Sequence, residues 1–232
     1  MEIGNSTGET ERKIDLVFCI DGTGSMHNLI DDVKRNAKKF REVLVEEMIK
    51  AKTSITSLRV KVITFRDYCN AEDAMEISRF FELPDEQDEF EQTVDAITAQ
   101  GGGDNPENGL EALYYATQSD FYTGNKDRQI IVLFTDDDAL EFKAREEYNG
   151  YPADMVDMKG FQDIWACAGQ GDSKLRDNLK RMIIFAPKGT IYEKQIAPMH
   201  RVNYIPVNRE EGLKEVDFSV IIKEIIRSAT AR

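Results

Sequence analysis

The sequence predicts an α/β fold: a doubly wound, mostly parallel central sheet with helices on both faces. Three observations lead there. Two runs, IDLVFCI at 14–20 and RQIIVLFT at 128–135, are almost continuously apolar, the pattern of parallel strands buried on both faces. After the first run, apolar residues recur at Met26, Ile30, Val33, Ala37, Phe40, Leu44 and Met48, a spacing of three and four that draws one stripe down a long helix. Strand-like and helix-like segments then alternate over more than 200 residues with no repeat period, as they do where helices cross over between parallel strands.

The remaining elements follow in order. RVKVITF at 59–65 reads as a second strand and EISRFFEL at 76–83 as a third. Pro84 and the following DEQDEFEQTVDAITA open a helix with acids in its first turn, where the helix dipole favours them. QGGGDNPENG at 100–109 is turn chemistry, and LEALYYATQSDF after it is helical. RMIIFAP at 181–187 and VNYIPV at 202–207 are shorter strands, and Phe218, Ile221, Ile222, Ile225 and Ala229 mark a closing helix. Residues 1–12 read as a flexible tail and 13–232 as a single domain. Within that domain 138–180 is a variable stretch in which EFKAREEY and FQDIWACA suggest helices joined by loops.

Composition narrows the class of function. Of 232 residues, 43 are acidic and 30 basic, a net charge of −13, and no basic cluster offsets it; this argues against a nucleic-acid partner, whose phosphates need Lys and Arg. A hydrophobic share of 41% supports a packed core. The longest apolar runs fall far short of the roughly 20 residues that span a bilayer, so no membrane association is expected. The polar start MEIGNSTGETERK lacks the basic-then-apolar pattern of a secretion signal, and three widely spaced cysteines, Cys19, Cys69 and Cys167, suggest neither a disulfide framework nor a metal knuckle. A reduced, cytoplasmic setting is the expectation.

In open α/β sheets, ligands sit beyond the carboxyl ends of the strands, where strand order reverses. The two most apolar strands each run into an acid, Asp21 and Asp136, and the glycine loop between them carries Asp104. With the hydroxyls of Thr23 and Ser25, these carboxylates are expected to meet at one point. Closely packed carboxylates resist ionisation, and a bound divalent cation removes that penalty. An all-oxygen donor set suits a hard ion, Mg²⁺ first, with Mn²⁺ or Ca²⁺ as alternatives. A tight turn in which Ser25 or Asn28 caps the long helix is the simpler reading of DGTGS by itself.

DGTGS at 21–25 resembles the D-x-S-x-S metal-ion-dependent adhesion motif of von Willebrand factor type A domains, with Thr23 in place of the first serine. The strand, long helix, strand order, the GGGDNPE loop and the apolar strand ending in Thr-Asp are similar to that family too, so the likeness covers about residues 12–230. The resemblance implies a Rossmann-like sheet and a metal-dependent protein-binding role. It implies that Thr23 and Ser25 hold the ion directly and that Asp21 and Asp136 act partly through water. The third-loop ligand it implies is Asp104, with Glu107 the lesser candidate. One departure is Asp137, where the family usually has glycine. The implied partner is a protein that presents an Asp or Glu carboxylate. The subgroup likeness points to a stand-alone bacterial version working with an ATPase, kinase or stress-response complex.

The competing class is a Mg²⁺-dependent phosphoryl-transfer enzyme, since an aspartate followed by Gly-Thr-Gly after a first strand also resembles haloacid-dehalogenase-type phosphatases and actin-like kinases. The former require a second aspartate where Thr23 stands, and the latter a repeated subdomain that is not found. His27 and His200 read as surface groups and Cys19 as a small core residue. Arg66 and Asp67 read as an ion pair on the rim, Trp165 as core, and Tyr148 and Tyr151 as possible partner anchors.

Overall fold

In the computed structural model, which describes residues 10–69, 73–100, 106–208 and 218–231, the first apolar run is the centre of strand β1 (Thr10–Asp21). Its side chains alternate between two cores: Ile14, Leu16, Phe18 and Ile20 enter one, Val17 and Cys19 the other. Asp15 is the charged exception. It is wholly buried in a two-point ion pair with Arg59, 2.8 Å at each contact, and takes the Tyr122 N–H at 2.6 Å, so its charge is matched where it is desolvated.

The other strands are β2 (Thr53–Phe65), β3 (Met75–Ile77), β4 (Phe81–Leu83), β5 (Arg128–Phe134), β6 (Lys180–Pro187) and β7 (Val202–Val207). They form one sheet in the order β3-β2-β1-β5-β6-β7, with β4 also on β2. The neighbours of β1, β5 and β6 are parallel; β3 and β4 run antiparallel to β2. Every residue of β5 and β6 is buried, which is why those segments show no polar alternation.

Helices cover both faces. Helix α1 (His27–Lys50) lays its stripe of Ile30, Ala37, Phe40, Leu44 and Met48 on the first core, together with α2 (Gln87–Ala96) and α5 (Phe218–Thr230). Helices α3 (Gly109–Thr117) and α4 (Met158–Ala166) cover the second core, where Trp165 is 1% exposed as expected. Among the described residues no helix is long and apolar enough to cross a membrane.

Three expectations need correction. The tail expected over 1–12 gives way to strand at Thr10–Arg12, which pairs with Thr53–Ile55; residues 1–9 lie outside the described residues. The single strand expected at 76–83 is split into β3 and β4. The Ser78 hydroxyl accepts the Val62 N–H at 2.9 Å, and a side-chain bond thereby replaces a rung of the ladder. The segment EFKAREEY forms successive turns instead of a helix. Lys143 has φ of 68°, its N–H donates to the Tyr151 hydroxyl at 2.8 Å, and Arg145 is drawn to Asp67, so tertiary tethers override the helical propensity of the sequence.

The ring of Phe134 stacks on Phe185 with centroids 5.0 Å apart and meets Phe18 at 6.2 Å, joining three strands at the middle of the sheet. Replacing Phe185 by Ala should destabilise the protein by about 3–5 kcal/mol. The measurement is a shift of the urea midpoint at unchanged m-value.

Candidate metal centre

From β1 the chain crosses to β2 on one side, and the next parallel neighbour of β1, on its other side, is β5. Strand order therefore reverses between β1 and β5, and a crevice opens at their carboxyl ends. Asp21 is the last residue of β1; Thr135 and Asp136 follow directly on β5.

Asp21 is fully buried and both of its oxygens are engaged. Oδ1 accepts the Thr23 N–H at 2.9 Å and the Thr23 hydroxyl at 2.6 Å, and Oδ2 accepts the Thr135 hydroxyl at 2.8 Å. Thr23 Oγ1 lies 3.3 Å from Ser25 Oγ, and the Ser25 hydroxyl donates to Asp136 Oδ1 at 3.0 Å. Asp21, Thr23, Ser25 and Asp136 thus form one continuous cluster across two loops. Neither hydroxyl caps a helix: the 3₁₀ turn Gly24–Met26 and α1 both begin without a side-chain cap, and the Met26 N–H bonds the Thr23 carbonyl at 3.1 Å instead. The turn is closed by backbone, which leaves the hydroxyls on the carboxylate cluster.

Gly22 has a packing reason. A Cβ there would stand 2.8 Å from Thr64 Cγ2 and 2.9 Å from Arg66 Cζ. Arg66, 4% exposed, bonds the Thr98 carbonyl at 2.8 Å and meets Glu76 at 3.2 Å, bracing this loop from behind. Asp67 is 2% exposed and pairs with Arg145 at 2.7 and 2.6 Å. Burial opposes its charge, but Arg145 and the Cys69 N–H hold its carboxyl below the usual range. The rim ion pair expected between Arg66 and Asp67 is therefore replaced by two buried anchors with separate partners.

In the third loop Asp104 lies outside the described residues, whereas Glu107 lies within them. Glu107 is 3% exposed and its Oε2 has no hydrogen-bond partner. Its carbonyl accepts the Leu140 N–H at 2.9 Å, which ties the third loop to the segment after β5. Burial, followed by the charges of Asp21, Asp67 and Asp137, pushes the Glu107 carboxyl up to about 8. Burial also pushes Asp21 up to about 6, with hydrogen bonds from Thr23 and Thr135 pulling back and the charge of Asp136 adding to the rise. Among the described residues no three His, Cys, Asp or Glu side chains form a metal cage. The donor set is instead mixed, carboxylates and hydroxyls, all oxygen, with one bare buried carboxylate oxygen beside it. That chemistry fits a hard divalent cation.

Two contributors were not assigned from sequence. In the sequence Thr135 stands out only as part of a Thr-Asp pair, although a hydroxyl placed directly before the acid at the end of a buried strand is the signal that marks it. Asp138 steadies the neighbourhood: its Oδ1 accepts the Ala139 and Ile191 N–H groups at 2.9 and 2.8 Å. Tyr151 donates to the buried Glu111 at 2.6 Å and so belongs to the interior, while Tyr148 is exposed.

These carboxyls give a pH dependence of definite sign. Asp21 and Glu107 bind their protons more tightly folded than unfolded, so the folded state holds more protons between about pH 4 and their folded values near 6 and 8, and stability falls as pH rises through that window. Thermal melting of the metal-free protein should decline from pH 5 to pH 8, and Glu107→Gln should flatten the upper part of that decline. A melting temperature that climbs over this interval would contradict the assignment.

Comparison with known proteins bears on the family and the fold. The profile of the von Willebrand factor A domain matches residues 15–149. No curated protein matches the sequence significantly. Among solved structures, the chain is similar to the pilus adhesin SpaC from Lactobacillus rhamnosus GG, with a TM-score of 0.58 and 12% identity over 96% of this chain and 32% of that one. The open conformation of the same adhesin gives 0.54 and 11% over 96% and 31%. Proximal thread matrix protein 1 from the mussel byssus gives 0.51 and 16% over 96% and 49%. The chain spans about a third of the adhesin and about half of the byssal protein, and at these identities the likeness is one of fold. With the profile covering more than half its length, the chain belongs to the von Willebrand factor A domain family.

Proposed function

We propose that this domain is a metal-dependent protein-binding module in which a Mg²⁺ ion, or Mn²⁺ or Ca²⁺ in its place, sits among Asp21, Thr23, Ser25 and Asp136. The observation that carries the reading is the hydrogen-bonded cluster itself: two carboxylates and two hydroxyls from separate loops meet at the strand-order reversal, and the hydroxyls serve no capping purpose. Thr23 and Ser25 are the direct donors in this proposal. Asp21, with both oxygens already held, anchors Thr23 and supplies negative charge from beneath. When bound, the ion offers an open coordination position to an Asp or Glu side chain of a partner protein. Ser25 is exposed, which leaves that side of the cluster open to an incoming group.

The third loop provides the remaining donor. Asp104 is the assignment that the family likeness suggests, and Glu107 gains weight from its bare, buried oxygen and its exposure to the charge of Asp21. A protein partner within an ATPase, kinase or stress-response complex in the cytoplasm is the setting proposed by the same likeness. The phosphoryl-transfer alternative finds less support, because a nucleophilic Asp21 would need an accessible oxygen and it has none. The two histidines have other partners: His27 pairs with Asp31 on the helix surface and His200 lies near Asp177.

At a hundredfold excess over its dissociation constant an ion stabilises by about 2.7 kcal/mol, which corresponds to a rise of about 5–10 °C in Tm for a chain of this size. Saturating Mg²⁺ or Mn²⁺ should produce such a rise, and Ser25→Ala should abolish it while leaving the metal-free melting temperature nearly unchanged, since that side chain is exposed. No shift with any of the three ions would overturn the proposal. The third-loop donor is separated by comparing Mn²⁺ affinity in Asp104→Asn and Glu107→Gln, the true ligand being the one whose change weakens binding tenfold or more.

A further inference from the structure

At the opposite end of the sheet, four arginines occupy the starts of four adjacent strands. Arg12 stands on β1 two residues before Ile14, the partner of Arg128 on β5. Arg181 on β6 pairs with Ile130, two residues beyond Arg128, and Arg201 precedes Val202, the partner of Met182. By strand alternation Arg12, Arg128 and Arg181 point to the same face as Ile14, Ile130 and Ile183, the face that α1 and α5 cover; Arg201, in the turn before β7, lies close enough for its charge to act on Arg128 and Arg181. The result is a diagonal row of four guanidinium groups in a chain whose net charge is −13.

Among the described residues their neutralisation is only partial. Arg128 and Arg181 are each 5% exposed, and both donate to the Ala231 carbonyl at the end of α5, at 2.6 and 3.4 Å. A helix terminus supplies only about half a negative charge. The remaining bonds of the row go to backbone carbonyls: Arg12 to Lys126, Arg128 to Asp127, and Arg181 to Asn178 and Lys180. Two carboxylates offset the row in part: Asp127, which takes the Gly124 N–H, acts on Arg128, and Asp177, which pairs with Lys180, acts on Arg181 and Arg201. The Nε atoms of Arg12, Arg128 and Arg201 are buried without any partner. Burial, and then the charges of the other three, push Arg128 down to about 10, and burial with Arg201 and Arg12 does the same to Arg181. Arg201 is moreover held at φ of 64°, in the left-handed region that bulky side chains avoid.

The geometry points to an oxyanion site at this pole, taking a phosphate group between the half-exposed side chains of Arg12 and Arg201 and above the buried pair Arg128 and Arg181. Planar guanidinium forks match phosphate oxygens two at a time, and a multiply charged anion is what several partly matched cations favour. The phosphate comes either as the free ion or as a phosphorylated side chain of a partner; the recognition chemistry is the same. This site is independent of the metal centre, which lies beyond the other ends of the same strands.

The test is calorimetric titration of the metal-free protein with inorganic phosphate, together with melting in phosphate and in chloride at equal ionic strength. Arg12→Gln/Arg201→Gln serves as the comparison because it spares the two arginines that hold α5. The wild type should show saturable heat and a higher Tm in phosphate, and the variant should lose affinity tenfold or more while melting no lower than wild type in chloride. General salting-out by phosphate raises both proteins equally, so an equal rise, or no saturable heat in the wild type, would overturn the site. If the variant does not fold, the wild-type titration decides by itself. A phosphoserine hexapeptide that binds tighter than inorganic phosphate assigns the site to a phosphorylated partner, and one that binds more weakly assigns it to the free ion.

Discussion

The candidate centre depends on a single desolvated carboxylate. Asp21 is buried at the end of the central strand, where the cost of its charge is met by three donors, the Thr23 N–H and the hydroxyls of Thr23 and Thr135. Those bonds pull both loops onto one point, because a buried carboxylate that lost any of them would be left partly unsatisfied in a medium of low dielectric. They do not discharge the site. Asp136 lies one hydrogen bond further on, and Glu107 is pushed toward its neutral form beside them. An excess of negative charge held in place by rigid donors is the condition in which a divalent cation binds without large rearrangement.

The surroundings resist collapse of that arrangement. Arg66 braces Gly22 from behind, and the two-point pair of Arg145 with Asp67 fastens the segment after β5 to the end of β2. The contact between the Glu107 carbonyl and Leu140 closes the third side. The turns at 141–148 therefore form part of the wall around the crevice, and their exposed Glu146, Glu147 and Tyr148 are available to whatever approaches. In the proposed function the donor cluster itself sees only one acidic group, so specificity falls to such loops.

The electrostatics of the two sheet ends differ in sign. Carboxylates gather where the parallel strands finish and arginines where they start, although the chain as a whole is strongly acidic. Parallel pairing explains why both clusters form: all the strand starts lie at one edge and all the strand ends at the other, so one charged residue at the same place in several strands becomes a row. In the arginine row the α5 terminus contributes its dipole as partial compensation.

What the sequence determined by itself was the layering and the site loops. A strand buried on both faces has no choice but to be continuously apolar, so 14–20, 128–135 and 181–187 declared their place, and the stripe from Met26 to Met48 declared the long helix that packs on them. The acids Asp21 and Asp136 were readable because they end such strands. Only tertiary structure decided how the side chains pair. Thr135 holding Asp21, Asp67 choosing Arg145 over its neighbour Arg66, and turns instead of a helix at 141–148 all depend on contacts between residues that are dozens of positions apart. The arginine row depends on register, which fixes the level and the face of Arg128 and Arg181. Local sequence encodes which surfaces are apolar; it does not encode which distant donor reaches a given buried charge first, and that competition is resolved only when the sheet closes.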